Sequence, residues 1–110
     1  MKRGDIVSVA SNDGEFINKP RPALIIQSDN FNPFNSVVIL PITGTEFKDS
    51  DIFRVELAPD EVNNLRKKSW VMIDKINTVH KHHLGEVFGQ IDHAKMIEVE
   101  RSLTVMLGIG

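Results

Sequence analysis

The sequence predicts a mainly β or α+β fold, in which antiparallel strands are followed by one helix packed on them, as in a small β-barrel. Three observations carry this. Short apolar or alternating runs recur through the first 79 residues, separated by turn-forming clusters. From Asp92 onward the apolar residues recur at spacings of three and four instead. The period switches once, from two to 3.6, and no repeat, low-complexity tract or linker interrupts the chain. Residues 1–110 therefore read as a single domain.

The elements follow in order. DIVSVA (5–10) places Val7 and Val9 on one face and reads as a strand, and SNDGEFINKP (11–20) is a polar loop. RPALIIQS (21–28) is short for a helix and rich in β-formers, hence a buried strand. DNFNPFN is turn chemistry. SVVILPIT (36–43) is a strand with Pro41 near its exit or on an edge, and GTEFKDSD is a loop. IFRVELA (52–58) sets Phe53, Val55 and Leu57 against Arg54 and Glu56. PDEVNNLRKK suits one helical turn starting at Pro59. SWVMIDKINTV (69–79) is a further strand. Met96, Val99, Leu103 and Met106 form the stripe of a C-terminal amphipathic helix, with Asp92 as its cap and Gly108 as its close.

Composition narrows the function. There is no cysteine, which removes disulfide frameworks and thiolate sites and fits a reducing cytoplasm. The N-terminus lacks a signal-peptide core, and no apolar run approaches the roughly 20 residues that span a bilayer. Lys plus Arg number 13 against 15 Asp plus Glu, a net charge of −2. A nucleic-acid site must therefore be a local basic groove.

Few residues stand out as chemical. Arg21 lies between Pro20 and Pro22, which hold its backbone extended at a strand start. It is either a surface arginine in a stiffened loop or a preorganised donor fork for a phosphate. Thr43 ends a strand before Gly44 and either satisfies turn backbone or donates to a phosphate. Asp74 is an acid among Val71, Met72, Ile73 and Ile76. It is either a strand-exit carboxylate neutralised by a base such as Arg21 or a general base. His80, His82, His83 and His93 lack zinc-finger or HExxH spacing and read as solvated, so no metal is expected. Arg66–Lys68 is a solvated face or a wall of a phosphate groove.

These residues in this order resemble the MazF/PemK family of toxin endoribonucleases, including its Kid-like members. The resemblance runs nearly end to end, through KRGDIV, KPRPALIIQSD, LPIT, NLRKKSWVMIDKINTV, HLGEVFGQID and VERSLTVMLGI. It implies an SH3-like antiparallel β-barrel and a homodimer with an RNA groove at the subunit junction. It further implies cleavage of single-stranded RNA without metal or cofactor, leaving 2′,3′-cyclic phosphate and 5′-hydroxyl ends. A cognate antitoxin blocks the groove of such toxins, which act in the bacterial cytoplasm. Arg21, Thr43 and Asp74 fall on the family's catalytic positions. Two departures stand out: Met72 occupies the place of a Kid-like arginine, and Glu15 that of a first-loop histidine.

Metal-free cleavage uses the neighbouring 2′-hydroxyl as nucleophile. Arg21 then stabilises charge on phosphorus, a task worth roughly 3–4 kcal/mol per donor. Thr43 adds a hydrogen bond, and Asp74 or Glu15 is the base. Phe16 is placed to stack a base, with Glu15, Lys19, Gln27 and Lys75 completing the RNA-contact set. The alternatives are a gyrase poison of the CcdB type, whose ending the LGIG tail faintly resembles, and a non-catalytic RNA- or peptide-binding module.

Overall fold

A strand with apolar residues on both faces must be covered on both, and that requirement organises the molecule. The computed structural model describes residues 1–10, 20–46 and 53–110. Among the described residues the strands are β1 (Asp5–Val9), β2 (Arg21–Ile25), β3 (Ser36–Thr43), β4 (Arg54–Leu57), β5 (Ser69–Met72), β6 (Asn77–His80) and β7 (Leu84–Gln90), followed by helix α1 (His93–Leu107). Every pairing is antiparallel, in the order β4–β5–β3–β2–β1–β7, with β6 also on β3. The expected antiparallel sheet with its C-terminal helix is present. The sheet stays open, since β4 and β7 do not pair among the described residues.

Both faces are apolar. Ile6, Leu24, Leu40, Ile42, Val55, Leu57, Val71 and Ile73 pack with Met96 and Val99 of α1, while Val7, Val9, Ala23, Ile25, Val37, Ile39 and Val79 fill the opposite face. Each such side chain contributes about 1.5–3 kcal/mol on full burial. The helix forms as its pattern dictates. The Asp92 side chain accepts from Lys95 N–H, and Gly108 closes the helix in the left-handed conformation, donating to Thr104 and Val105 carbonyls.

Strand β3 explains the position of the functional residues. Ile26 N–H donates to Val38 O, and Lys81 N–H to Asn35 O. Even-numbered residues of β3 therefore bond to β2 and odd-numbered ones to the side of β5 and β6. Pro41 is odd and has no N–H to offer. The partner breaks there. Three steps on β3, Ile39 to Ile42, face six from Val71 to Asn77, so three residues are extra. They form the 3₁₀ turn Ile73–Lys75. The run 69–79 is thus two strands rather than one. Pro41 is buried in a central strand, tolerated at the gap in its ladder rather than at an edge.

The expected helical turn after Pro59 is present as a single turn, closed by Asn64 N–H donating to Asp60 O at 3.1 Å, within a pinned loop. Asp60 Oδ1 accepts from Val62 and Asn63 N–H. The buried Asn63 amide accepts from Asp60 and Leu65 N–H and donates to Ala58 O. The loop lies on the free edge of β7, where Gln90 N–H donates to Val62 O and Asn64 Nδ2 to Phe88 O. A Cβ at Gly89 would overlap the Asn63 carbonyl, so the close approach requires glycine.

Candidate active site

Arg21 opens β2 between two prolines, and the ladder decides what it faces. The β2–β3 register pairs Ala23 with Pro41. Two residues further, it sets Arg21 across from Thr43. By the same parity this is a non-hydrogen-bonded pair, the closer kind, with Cα atoms roughly 4.5 Å apart. Thr43 Oγ1 accepts from Thr45 N–H at 3.1 Å, which leaves the hydroxyl proton to donate outward. The Arg21 Nε is buried without a hydrogen-bond partner. Such an orphan donor costs about 1–3 kcal/mol, which an arriving acceptor would recover.

Beside Arg21 lies an open groove of about 860 Å³, whose lining includes Ile42 and Gly44 on either side of Thr43 but not Thr43 itself. Pro20, Arg21 and Pro22 form one side, Ile42 and Gly44 the floor, and the pinned loop with Asn64, Leu65, Arg66 and Lys67 the other side, closed by Ser69 and Phe88. Asn64 holds a left-handed conformation (φ 54°), which asparagine tolerates better than most residues. The Ser69 hydroxyl donates to Lys67 O at 2.9 Å, fixing the backbone from which Lys67 springs. The Lys67 side chain lies on Gly44, where a Cβ would overlap Lys67 Cε and stand 3.0 Å from Nζ. Among the described residues the lining has three cations and no carboxylate. A groove of this kind attracts a phosphodiester and presents it with donors from both sides.

The other expected residues are elsewhere. Asp74 sits on the extra turn between β5 and β6, packed toward α1 and β4. Its carboxylate is gripped by Arg54, through Nε at 2.9 Å and Nη2 at 3.3 Å, and not by Arg21. Neither Asp74 nor Lys75 lines the groove. The Met72 departure has a counterpart here, because Arg54 pairs directly with Met72 across β4 and β5. An arginine therefore does reach Asp74, from the neighbouring strand. Gln27 lies beyond the far end of β2, roughly 20 Å along the chain from Arg21. Its amide accepts from Val38 N–H and donates to Phe31 O, so it holds the β2–β3 connection. Glu15, Phe16 and Lys19 lie outside the described residues. The run Arg66–Lys68 divides. Arg66 and Lys67 face the groove, whereas Lys68 pairs with Glu56 at 3.4 Å and lies over Trp70. The sequence offers Arg66–Lys68 as a solvated face or a groove wall, and position in the run does not distinguish Lys67 from Lys68.

The histidines stack on one another. His80 and His82 ring centroids are 4.2 Å apart and those of His82 and His83 4.1 Å. Loss of water around the stacked ring, then repulsion from His83 and His80, lowers the His82 pKa below 6.5. Among the described residues no group of three or more His, Cys, Asp or Glu is placed to hold a metal ion.

Comparison with known proteins adds independent findings. The family model for the "PemK-like, MazF-like toxin of type II toxin-antitoxin system" matches residues 2–107. A probable endoribonuclease MazF of Mycolicibacterium smegmatis is 38% identical over 110 residues, covering 100% of this chain and 99% of its own length. An endoribonuclease MazF of Staphylococcus saprophyticus is 30% identical over 112 residues, with 99% of this chain and 92% of that protein covered. Among solved structures, the Mycobacterium tuberculosis toxin MazF-mt6 superposes with a TM-score of 0.80 at 22% identity, covering 96% of this chain and 98% of that one. A chain of the MazE–MazF structure from Deinococcus radiodurans also gives 0.80, at 17% identity with 100% and 98% covered. At such identities these two likenesses establish the fold.

Proposed function

The chain belongs to the PemK-like, MazF-like toxin family of type II toxin–antitoxin systems, and from that premise we propose how its groove cuts RNA. The chain is an endoribonuclease toxin. Its substrate is single-stranded RNA, laid in the groove between Arg21 and the pinned loop. The observation that carries this is the buried, unpartnered Nε of Arg21, in a groove whose described lining has three cations and no carboxylate.

The chemistry follows from what each group can do. RNA carries its own nucleophile, the 2′-hydroxyl, next to the scissile phosphate. As the 2′ oxygen attacks, negative charge grows on the non-bridging oxygens. The Arg21 guanidinium meets that charge in a fixed orientation, and Thr43 donates a second hydrogen bond. The P–O5′ bond then breaks, giving a 2′,3′-cyclic phosphate and a 5′-hydroxyl. These steps use side chains, the RNA and water, which takes the 2′-hydroxyl proton, so the reaction is expected to proceed in EDTA. In this reading Asp74 serves the ion pair with Arg54, and Phe88 offers an aromatic face to a base.

The protein acts as a homodimer, and a cognate antitoxin covers the groove. No helix among the described residues is long and apolar enough to cross a membrane. The place of action is the bacterial cytoplasm, where the messenger RNA and the antitoxin are. The test is digestion of a mixed RNA in EDTA with both new ends mapped. Cyclic phosphate and 5′-hydroxyl ends are expected. Intact RNA beside inhibited gyrase would overturn the reading in favour of a gyrase poison.

A further inference from the structure

The cleavage proposed above leaves one task without a residue. When the P–O5′ bond breaks, the departing oxygen keeps the electron pair and needs a proton. Arg21 holds its protons too tightly to supply one. Asp74 is engaged by Arg54. No carboxylic acid or imidazole is among the described residues that line the groove.

Lys67 meets the requirement on four counts. Its Nζ lies over Gly44, the residue that follows Thr43. Its backbone is fixed by the Ser69 hydroxyl and by the loop pinned to β7. It forms no ion pair among the described residues, whereas its neighbour Lys68 is paired with Glu56. Gly44, finally, is the one residue type that lets the lysine lie there undisturbed, because any Cβ would push its Cε away.

We propose that Lys67 is the general acid of RNA cleavage, delivering a proton from its ammonium to the 5′ oxygen as that oxygen leaves. The step balances. The 2′ oxygen bonds to phosphorus and loses its proton to water. The P–O5′ bond breaks, and an ammonium N–H becomes the new O5′–H. The resulting amine then regains a proton from the solvent. The inference rests on the nuclease reading and deepens it.

The test uses two RNA oligonucleotides that differ at one atom, the scissile 5′ oxygen replaced by sulfur in the second. A thiolate leaves without needing a proton. Lys67 is exposed, so its variants fold. On the oxygen substrate K67A slows kcat by about 10²–10⁴-fold, the usual span for general-acid catalysis, with KM little changed. K67R keeps the charge yet does not restore the rate, because a guanidinium gives up protons poorly. On the sulfur substrate both variants approach the wild-type rate. Equal slowing on both substrates, or full rescue by K67R, overturns the assignment. Wild-type cleavage of both substrates matched by K67A refutes the acid alone. A wild type that cuts neither refutes the nuclease reading, and the acid with it.

Discussion

Strand β5 carries an ionic centre at each end, and the two are built on opposite plans. At its start, beside Ser69, Arg21, Arg66 and Lys67 face a groove with no carboxylate among the described lining residues, and one arginine nitrogen is buried without a partner. At its end, beyond Met72, Asp74 meets Arg54 through two hydrogen bonds, with side chains 31% and 11% exposed. The second centre is complete within the chain. The first is complete only when something anionic arrives. Uncompensated charge of this kind stores free energy that a ligand releases, so it marks a binding site more reliably than the presence of ionisable residues does.

The largest effect expected from this contrast is at Arg21. Arg21→Met keeps the apolar stem but removes the guanidinium. Cleavage should fall by at least 10²–10³-fold in kcat, equivalent to about 3–4 kcal/mol of transition-state stabilisation. The melting temperature should not fall, because the change also removes an orphaned donor from the folded state. A folded variant that still cuts RNA at the wild-type rate breaks the comparison outright.

A smaller loss is expected at Gly44. Its φ does not lie in the left-handed region, so alanine suits its backbone. The new methyl displaces the end of Lys67 and leaves Arg21 and Thr43 where they are. Gly44→Ala should reduce kcat by about tenfold on the scale of general-acid effects. The double variant with Lys67→Ala should be no slower than Lys67→Ala alone. Additive losses would show that Gly44 acts by some route other than the lysine.

The two centres also differ in how far the sequence disclosed them. Pro-Arg-Pro and the threonine before Gly44 are local signals. Thr43 is not among the groove's lining residues, whereas the first signal marks a residue of the groove, because two flanking prolines determine its backbone geometry. The helix was legible for the same reason, down to its Asp92 and Gly108 caps. Asp74 was legible only in part: it is a carboxylate past a strand end neutralised by a base, but that base is Arg54, and its place on the extra turn depends on a ladder gap opposite Pro41 in the neighbouring strand. Strand β7 was missed as an element. Gly85, Glu86 and Gly89 break its alternation, and Gly89 is there for the carbonyl of Asn63 rather than for the strand. Lys67 and Lys68 are adjacent and chemically identical, and only the fold sends one to the groove and the other to Glu56.

At the compensated centre the expected loss is in stability instead of rate. Asp74→Asn removes the charge and leaves Arg54 largely buried beside a neutral amide. Hydrogen bonds to charged groups contribute about 1.5–3 kcal/mol, and solvent around the partly exposed carboxylate reduces this to about 1 kcal/mol. Urea melts should show that decrease, with cleavage retained within a few-fold. Abolished cleavage in a stable Asp74→Asn protein would make the paired carboxylate a working base and erase the distinction between the two ends.

The smallest effect separates a third kind of ionic cluster, one in which the surroundings disfavour charge on His82. His80 Nδ1 accepts from His82 N–H and lies 2.6 Å from His82 Nδ1. His83 Nδ1 lies 2.9 Å from the Ala10 carbonyl, where β1 ends. With the His82 pKa lowered on folding, the unfolded chain binds the proton more readily than the folded one. The cluster's contribution is therefore present in full above the ordinary histidine pKa near 6.5, and it is lost as the pH falls through the lower folded value. The melting temperature of the wild type should decline between pH 7 and pH 5 by more than that of His82→Gln, by a degree or two at most because the ring is exposed. Cleavage of RNA by the two proteins at pH 7 should be the same, since no histidine lines the groove among the described residues. Parallel melting curves for the two proteins across that range would mean that the stacked rings carry no protonation penalty, and that compensation by neutrality has no part in this fold.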